Sequence, residues 1–176
     1  MKYIKTFEKY SDNLTFEGLV ETLPEDIKDI LEKLRHTPQR PDGHPEAPDE
    51  ETPHNALAHT KIVTERAIKY GDFDIIIAAI FHDLGKAFTT KMSDKGNWSA
   101  FGHELESTKI LEKHKDWVEK SGANYDIVHY IVSNHMRRHH FNEMRPHKQK
   151  VFSQEPYFDK LTIFSKMDNM KVPYEG

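Results

Sequence analysis

Apolar residues recur along most of the chain with the spacing of helices. From His54 onward they return every three or four positions, so each segment would present one apolar face to a core. No segment alternates convincingly between apolar and polar residues, which argues against more than a few strands. The pattern predicts an all-α protein with helices at about 25–35, 53–70, 75–84, 103–120, 124–138 and 156–171.

Residues that commonly start and stop helices support these boundaries. Starts are predicted at Pro24, Pro53, Asp72 or Asp74, Asn124 and Pro156, and stops at Gly71 and Gly85. The segment 75–84 is apolar on nearly all sides, which places it at the centre of the core.

The chain divides into three parts. Residues 1–36 form an N-terminal helical arm, and residues 37–53 contain five prolines, a density that neither a helix nor a central strand tolerates. We interpret 37–53 as an extended connector that crosses the surface, near the mouth of the site described below. Residues 54–176 form the main helical domain.

Composition narrows the possible functions. The net charge of −4 argues against a protein that coats nucleic acid in general, so we expect no general DNA binding. The chain has no cysteine but twelve histidines, so any metal must be held by nitrogen and oxygen ligands. The N-terminus has no signal-like apolar run, and the longest apolar stretch, Ile75–Phe81, is far too short to span a membrane. We therefore expect a soluble cytoplasmic protein without a membrane partner.

Several metal-competent side chains fall where a core has little reason to accept them. His59, His135 and Asp168 lie on the apolar faces of their predicted helices, and the pair His82-Asp83 ends the most apolar helix. Burying such a group without a partner costs roughly 2–7 kcal/mol, and more for a carboxylate. A single inward histidine is more often a hydrogen-bonded core residue. The whole set, with His103 at a helix start, indicates a metal site instead.

These residues also carry a resemblance to a known family. The fragment AAIFHDLGK at 78–86 resembles the central helix of the HD superfamily of metal-dependent phosphohydrolases. A longer set of motifs is similar to the HD domain of bacterial CCA-adding tRNA nucleotidyltransferases: His59-Thr60, Gly102-His103-Glu104, His135, Arg137-Arg138-His139-His140-Phe141, Arg145-Pro146 and Asp168. The resemblance covers roughly residues 54–172 and lacks the nucleotide-adding head of those enzymes, so nucleotide addition is not expected.

The resemblance implies a helical bundle with two divalent metal ions in its core. Asp83 would bridge the ions; His59, His82 and Asp168 would complete one site, and His103 with His135 the other. A one-metal site of His59, His82, Asp83 and Asp168 is also known in the superfamily and stays open, and His54 is the second choice to His59. Imidazole and carboxylate ligands suit Mn, Fe, Co, Ni or Zn, with Mg possible but weaker.

By the same resemblance, the activity would be hydrolysis of phosphate esters by a metal-activated hydroxide. The substrate would be a nucleotide or an RNA 3′ end, and the enzyme a 2′,3′-cyclic phosphodiesterase, nucleotidase or phosphatase. Catalytic roles fall to Asp83, Lys86, Arg137 and Arg138, and phosphate contacts to Lys86, Arg137, Arg138 and Arg145.

Each of these basic residues could equally be a solvated surface group. Trp98 and Phe101 could stack a base or simply pack in the core. The remaining histidines of this region are expected at the surface: His139, His140 and His147.

Two other functions fit the same ligands. Diiron oxygenases such as inositol oxygenase resemble this six-residue helical pattern and cleave carbon bonds with dioxygen. A non-catalytic module could use the site only to hold a nucleotide or a structural metal. The run from His135 to Pro146 favours phosphate chemistry. The sequence does not fix the metal, the physiological substrate or the oligomeric state.

Overall fold

The all-α prediction is confirmed by a computed structural model, which describes residues 14–39 and 54–170. Its helices are α1 (Phe16–Thr22), α2 (Glu25–Arg35), α3 (Ala56–Tyr70), α4 (Phe73–Phe81), α5 (Lys86–Thr89), α6 (His103–Lys113), α7 (Lys115–Ser121), α8 (Tyr125–His139), α9 (Pro146–Ser153) and α10 (Phe158–Asp168). One two-stranded antiparallel hairpin, β1 (Lys91–Met92) and β2 (Trp98–Ser99), lies between α5 and α6.

Side-chain caps fix the starts of three of the helices that position the candidate ligands, α3, α4 and α8. The side chain of Asn55 accepts a hydrogen bond from Ala58 at the start of α3, and Gly71 ends this helix in a left-handed conformation with φ of 85°. Of the two possible caps for α4, Asp72 is the one used. Asn124 caps α8 in the same way. Residues 52 and 53, where the start of α3 was predicted, lie outside the described residues.

The central helix ends earlier than its apolar pattern predicts. α4 stops at Phe81, and residues 82–85 form turns before α5 begins at Lys86. Gly85 is therefore not a helix stop. Its backbone is packed so closely on α6 that an added Cβ would lie 2.1 Å from the carbonyl oxygen of His103 and 2.7 Å from the amide nitrogen of Ser107. This contact fixes the turn that carries His82 and Asp83 against the start of α6.

Two further helices differ from prediction. The helix expected at 103–120 is broken at His114 into α6 and α7. The helix expected from Pro156 begins at Phe158.

Three helices were not predicted. They are α1 in the arm, the short α5 after the central turn, and α9 within the basic run, where Pro146 occupies the first helical position.

The core is organised around α4, of which every residue from Ile75 to Phe81 is buried. Helices α3, α6, α8 and α10 pack against it. The arm contributes to the same core, because Leu19 of α1 and both Ile27 and Leu34 of α2 are fully buried in it. The boundaries of the three predicted parts themselves stay a prediction.

The described start of the connector lies against the beginning of α3. Pro38 forms an isolated antiparallel bridge with Asn55, and the amide of Gln39 donates to the carbonyl of His54 at 2.9 Å. Residues 40–53, which hold the rest of the predicted surface crossing, lie outside the described residues. None of the helices in the described ranges is long and apolar enough to cross a membrane.

Replacing Gly85 with alanine tests the close packing between the central turn and α6. The new Cβ would collide with backbone atoms, which cannot move aside as a flexible side chain can. We expect Gly85→Ala to lower the free energy of unfolding by about 3 kcal/mol or more, measured by chemical denaturation. Gly96→Ala is the control, because its Cβ meets nothing within 4 Å and only its φ of 77° is unfavourable, at a cost of about 1 kcal/mol. Equal losses in the two variants would contradict the packing argument.

Candidate metal centre

The six residues predicted as metal ligands converge from five parts of the chain. α3 supplies His59, the turn after α4 supplies His82 and Asp83, and the other three stand on separate helices: His103 on α6, His135 on α8 and Asp168 on α10. All six are buried, none more than 7% exposed. They form two groups whose possible ligand atoms lie within 4.8 Å of one another: His59, His82 and Asp168, and Asp83, His103 and His135. His54, the alternative to His59, belongs to neither group among the described residues.

Asp83 lies between the two groups and presents one carboxylate oxygen to each. Its Oδ2 is 3.3 Å from Nε2 of His82 and 3.5 Å from Nε2 of His59. Its Oδ1 is 3.1 Å from Nε2 of His103 and 3.9 Å from Nε2 of His135. Asp83 therefore offers one carboxylate oxygen to each group, and each oxygen could serve as a ligand there.

Backbone carbonyls fix the tautomers of three of the histidines. Their Nδ1–H groups donate to the carbonyl three residues earlier, at 2.8 or 2.9 Å: His82 to Ala79, His103 to Ala100 and His135 to Val132. Because a carbonyl oxygen can only accept, the proton sits on Nδ1 and the Nε2 lone pair faces the centre.

The converging nitrogens require a positive species between them. Nε2 of His103 lies 3.2 Å from Nε2 of His135, and Nε2 of His82 lies 3.3 Å from Nε2 of His59. Two neutral Nε2 lone pairs cannot hydrogen-bond to each other, and both His103 and His135 already use their Nδ1–H groups on backbone carbonyls, so their contact needs either an added proton or a cation. Oriented imidazoles with two carboxylates are a donor set that divalent transition metals accept. The residues present therefore fit a metal site.

The charges of the buried residues also favour a metal site. Burial by itself raises the pKa of Asp83 and of Asp168, but neighbouring histidines, with Lys86 beside Asp83, outweigh it and hold both pKa values well below the usual carboxyl range. Burial would lower the pKa of His82, but the two carboxylates raise it to about 10. Burial and the charge on His82 lower the pKa of His135 to about 3. One proton held by His82 thus occupies the position of positive charge that a metal would take.

Lys86 lies beside the centre and is tied to the connector. Its Nζ donates to Oδ2 of Asp83 at 2.7 Å and to Oε1 of Gln39 at 2.9 Å. The side chain is 11% exposed, so this ammonium is largely withdrawn from water. Contact of Lys86 with a bound phosphate stays a prediction.

His139 is exposed, as expected, but it also belongs to the site, which the sequence analysis did not predict. Its Nε2 contacts Oδ2 of Asp168, the oxygen of that carboxylate that does not face His59. His139 lies four residues after His135 and therefore on the same face of α8. That spacing was the available signal.

A cleft of about 610 Å³ opens beside the centre, within the size range of small-molecule sites. The residues lining it include Gln39, Lys86, Trp98, Phe101, His103 and Arg137. Phe101 is 93% exposed, and Trp98 is half-buried at the base of the hairpin. The structure thus places both aromatic side chains at the cleft rather than in the core.

The three arginines predicted to contact phosphate take different positions. Arg137 lines the cleft, whereas Arg138 stacks near the rings of Phe141 and Phe158 and does not line the cleft formed by the described residues. Arg145 is exposed at the start of α9, again away from that cleft. Phosphate contacts by Arg138 and Arg145 stay predictions.

The other two histidines expected at the surface are also exposed. His140 is exposed, pairs with Glu143 at 2.9 Å and lines the cleft. His147 is exposed on α9.

Comparison with known proteins gives one match. The family model of the HD domain matches residues 56–170, which include all six converging residues. Searches of curated proteins and of solved structures returned no significant match.

Metal binding is expected to displace the proton on His82. Because the pKa of His82 is raised to about 10, this histidine is protonated at neutral pH and must lose its proton to become a ligand. The affinity of the chelator-treated protein for Mn²⁺ or Ni²⁺ should therefore rise by about tenfold per pH unit between pH 6 and 8, measured by calorimetry. His82→Gln should lose this pH dependence and most of the metal affinity. His129→Gln, a change at a histidine outside the two ligand groups, should keep the affinity and its pH dependence. A pH-independent affinity would contradict this assignment.

Proposed function

The chain belongs to the HD domain family, which consists generally of metal-dependent hydrolases, and from this premise we propose that it hydrolyses phosphate esters of nucleotides or RNA ends. The observation that carries the proposal is the position of Asp83. Its two oxygens face two separate groups of nitrogen ligands, and Lys86 and the cleft lie directly beside it. Such an arrangement would hold positive charge next to the place where a phosphoryl group would bind.

The residues of the site would have separate roles in this reaction. A pair of divalent ions, when bound, would polarise the phosphoryl oxygens and make a water nucleophilic near neutral pH. The six converging residues hold that charge in place, with Asp83 common to both groups. Three backbone carbonyls keep the imidazoles oriented, so little rearrangement is needed on binding.

The reaction adds one water across a P–O bond. The water oxygen bonds to phosphorus, the ester P–O bond breaks, and the departing ribose oxygen takes up a proton. Lys86 is placed to stabilise the developing charge or to supply that proton, since its ammonium contacts Asp83 and lines the cleft. Gln39 holds the lysine from its other side.

We propose 2′,3′-cyclic nucleotides or RNA ends as the substrates, with a nucleotidase or phosphatase activity on related monoesters. The motif similarity to the HD domains of CCA-adding enzymes supports this choice, because those domains open cyclic phosphates at RNA ends. The aromatic rim of the cleft supports it as well. An exposed phenylalanine beside a phosphate site offers a flat apolar surface on which a base can stack.

Turnover of 2′,3′-cyclic AMP is the direct test. Protein loaded in turn with Mn²⁺, Ni²⁺, Co²⁺ and Mg²⁺ should open the ring, and Asp83→Asn should lose activity by at least about a thousandfold because both ligand groups lose their shared carboxylate. Asp116→Asn is the matched control, since the same change is made on the exposed face of α7.

Full turnover by Asp83→Asn would exclude the two-metal arrangement. No turnover by the loaded wild-type protein, accompanied by oxygen uptake of the iron-loaded form, would favour the oxygenase. Tight nucleotide binding without either activity would favour the binding module.

The role of Phe101 can be measured separately from the chemistry. Phe101→Ala should raise KM for 2′,3′-cyclic AMP about tenfold, because base stacking on an aromatic side chain contributes about 1–3 kcal/mol. The KM for a cyclic phosphate diester of a simple diol, which carries no base, should rise far less. Phe88→Ala is the control, because Phe88 is also exposed but does not line the cleft. Equal effects on both substrates would show that Phe101 does not contact the base.

A further inference from the structure

A second cavity adjoins the cleft at α9. It has a volume of about 380 Å³ and is lined by Arg137, Met144, His147, Lys148 and Val151. Arg137 lines both cavities. A molecule bound in the cleft with one end at His103 could therefore extend past Arg137 into the second cavity beside α9.

The helix α9, which supplies His147, Lys148 and Val151 to this second cavity, belongs to a basic segment. The segment 144–154 contains Arg145, His147, Lys148 and Lys150 and no acidic residue, in a chain whose net charge is −4. Over the described ranges, no carboxylate forms an ion pair with any of these four side chains. Such a concentration of unneutralised positive charge is typical of a surface that contacts phosphates.

The second cavity is also lined by apolar side chains. Val151 is 49% exposed and lies in the cavity with the half-buried side chain of Met144. A surface that alternates cations with apolar contacts suits single-stranded nucleic acid, whose backbone needs positive charge and whose bases need apolar faces.

Arg137 is held rigidly at the junction of the two cavities. Its guanidinium lies 3.6 Å from the centre of the Phe152 ring, and Nη1 donates to both carboxylate oxygens of Glu155 at 2.9 and 3.2 Å. Its hydrogen bonds to described side chains all use Nη1, which leaves the Nη2 and Nε donors for another acceptor. A fixed guanidinium with open donors is suited to a phosphate group.

From these features we propose that the second cavity binds the nucleotide that precedes the reacting end, so that the substrate is the end of an RNA strand rather than a free nucleotide. The inference rests on the proposed function, which places the terminal phosphate at the metal centre and its nucleoside in the cleft. The preceding phosphate then lies at Arg137, and the preceding base and backbone lie along α9 between Val151 and Lys148. The 2′-hydroxyl that a 2′,3′-cyclic phosphate requires restricts the strand to RNA.

The test compares a strand with a free nucleotide. A 5′-labelled RNA pentanucleotide ending in a 2′,3′-cyclic phosphate is titrated with the purified full-length protein and followed by fluorescence anisotropy, with 2′,3′-cyclic AMP as a competitor. Turnover of both compounds by the metal-loaded protein is measured in parallel. We expect the pentanucleotide to bind at least tenfold more tightly than the mononucleotide.

Charge reversal on α9 identifies the surface responsible. Lys148→Glu should weaken pentanucleotide binding by about tenfold and lower the slope of log affinity against log salt concentration by about 0.7, the value for one lost phosphate contact on a single strand. Lys69→Glu is the matched control, because Lys69 is exposed at the end of α3 and lines neither cavity. It should leave both quantities unchanged.

The outcomes separate this inference from the proposed function. Hydrolysis of 2′,3′-cyclic AMP with no tighter binding of the strand, or with equal effects of Lys148→Glu and Lys69→Glu, would overturn the strand site and leave the activity standing. Salt-dependent strand binding that Lys148→Glu weakens, without turnover of either compound, would support the strand site and count against the activity. Equally tight binding of a polyglutamate chain would show a general polyanion surface and overturn the proposal.

Discussion

The structure depends on the burial of two carboxylates, Asp83 and Asp168, which are only 2% and 7% exposed. A buried carboxylate is stable only when positive charge or several hydrogen-bond donors surround it. Helices from across the chain supply those partners: the imidazoles, the ammonium of Lys86, and His139 behind Asp168. The apolar helix α4 ends at this centre, so hydrophobic burial and the polar site are built on the same element.

Much of this centre could be predicted from the sequence, because burial and helical spacing together reveal polar residues on apolar faces. His59 and Asp168 were found in this way, and the pair His82-Asp83 stood out at the end of an apolar run. The grouping into two sets, and the position of Asp83 between them, could not be derived from spacing alone. It depends on how the helices cross and on the turn that Gly85 allows against α6.

The polar surface was harder to predict than the core. α9 was not recognised as a helix because its few apolar residues give no clear face, and Pro146 was assigned to a family motif rather than to a helix start. His139 is exposed, as expected, but its spacing from His135 also brings its ring to Asp168, a contact that was not predicted. The arginines show a related limit: a long guanidinium side chain can turn toward aromatic rings, as Arg138 does, and sequence spacing does not reveal that direction.

The contact between His59 and Asp168 joins residues 109 positions apart, near the two ends of the region that matches the HD domain. Any ion held by both would bind the folded chain and not the unfolded one, where these two residues are not held together, so unfolding of nearly the whole domain would have to release it. By mass action, a ligand present at a hundred times its dissociation constant adds about 2.7 kcal/mol to the free energy of unfolding. A cofactor held in this way would contribute to the cooperativity of folding as well as to the chemistry.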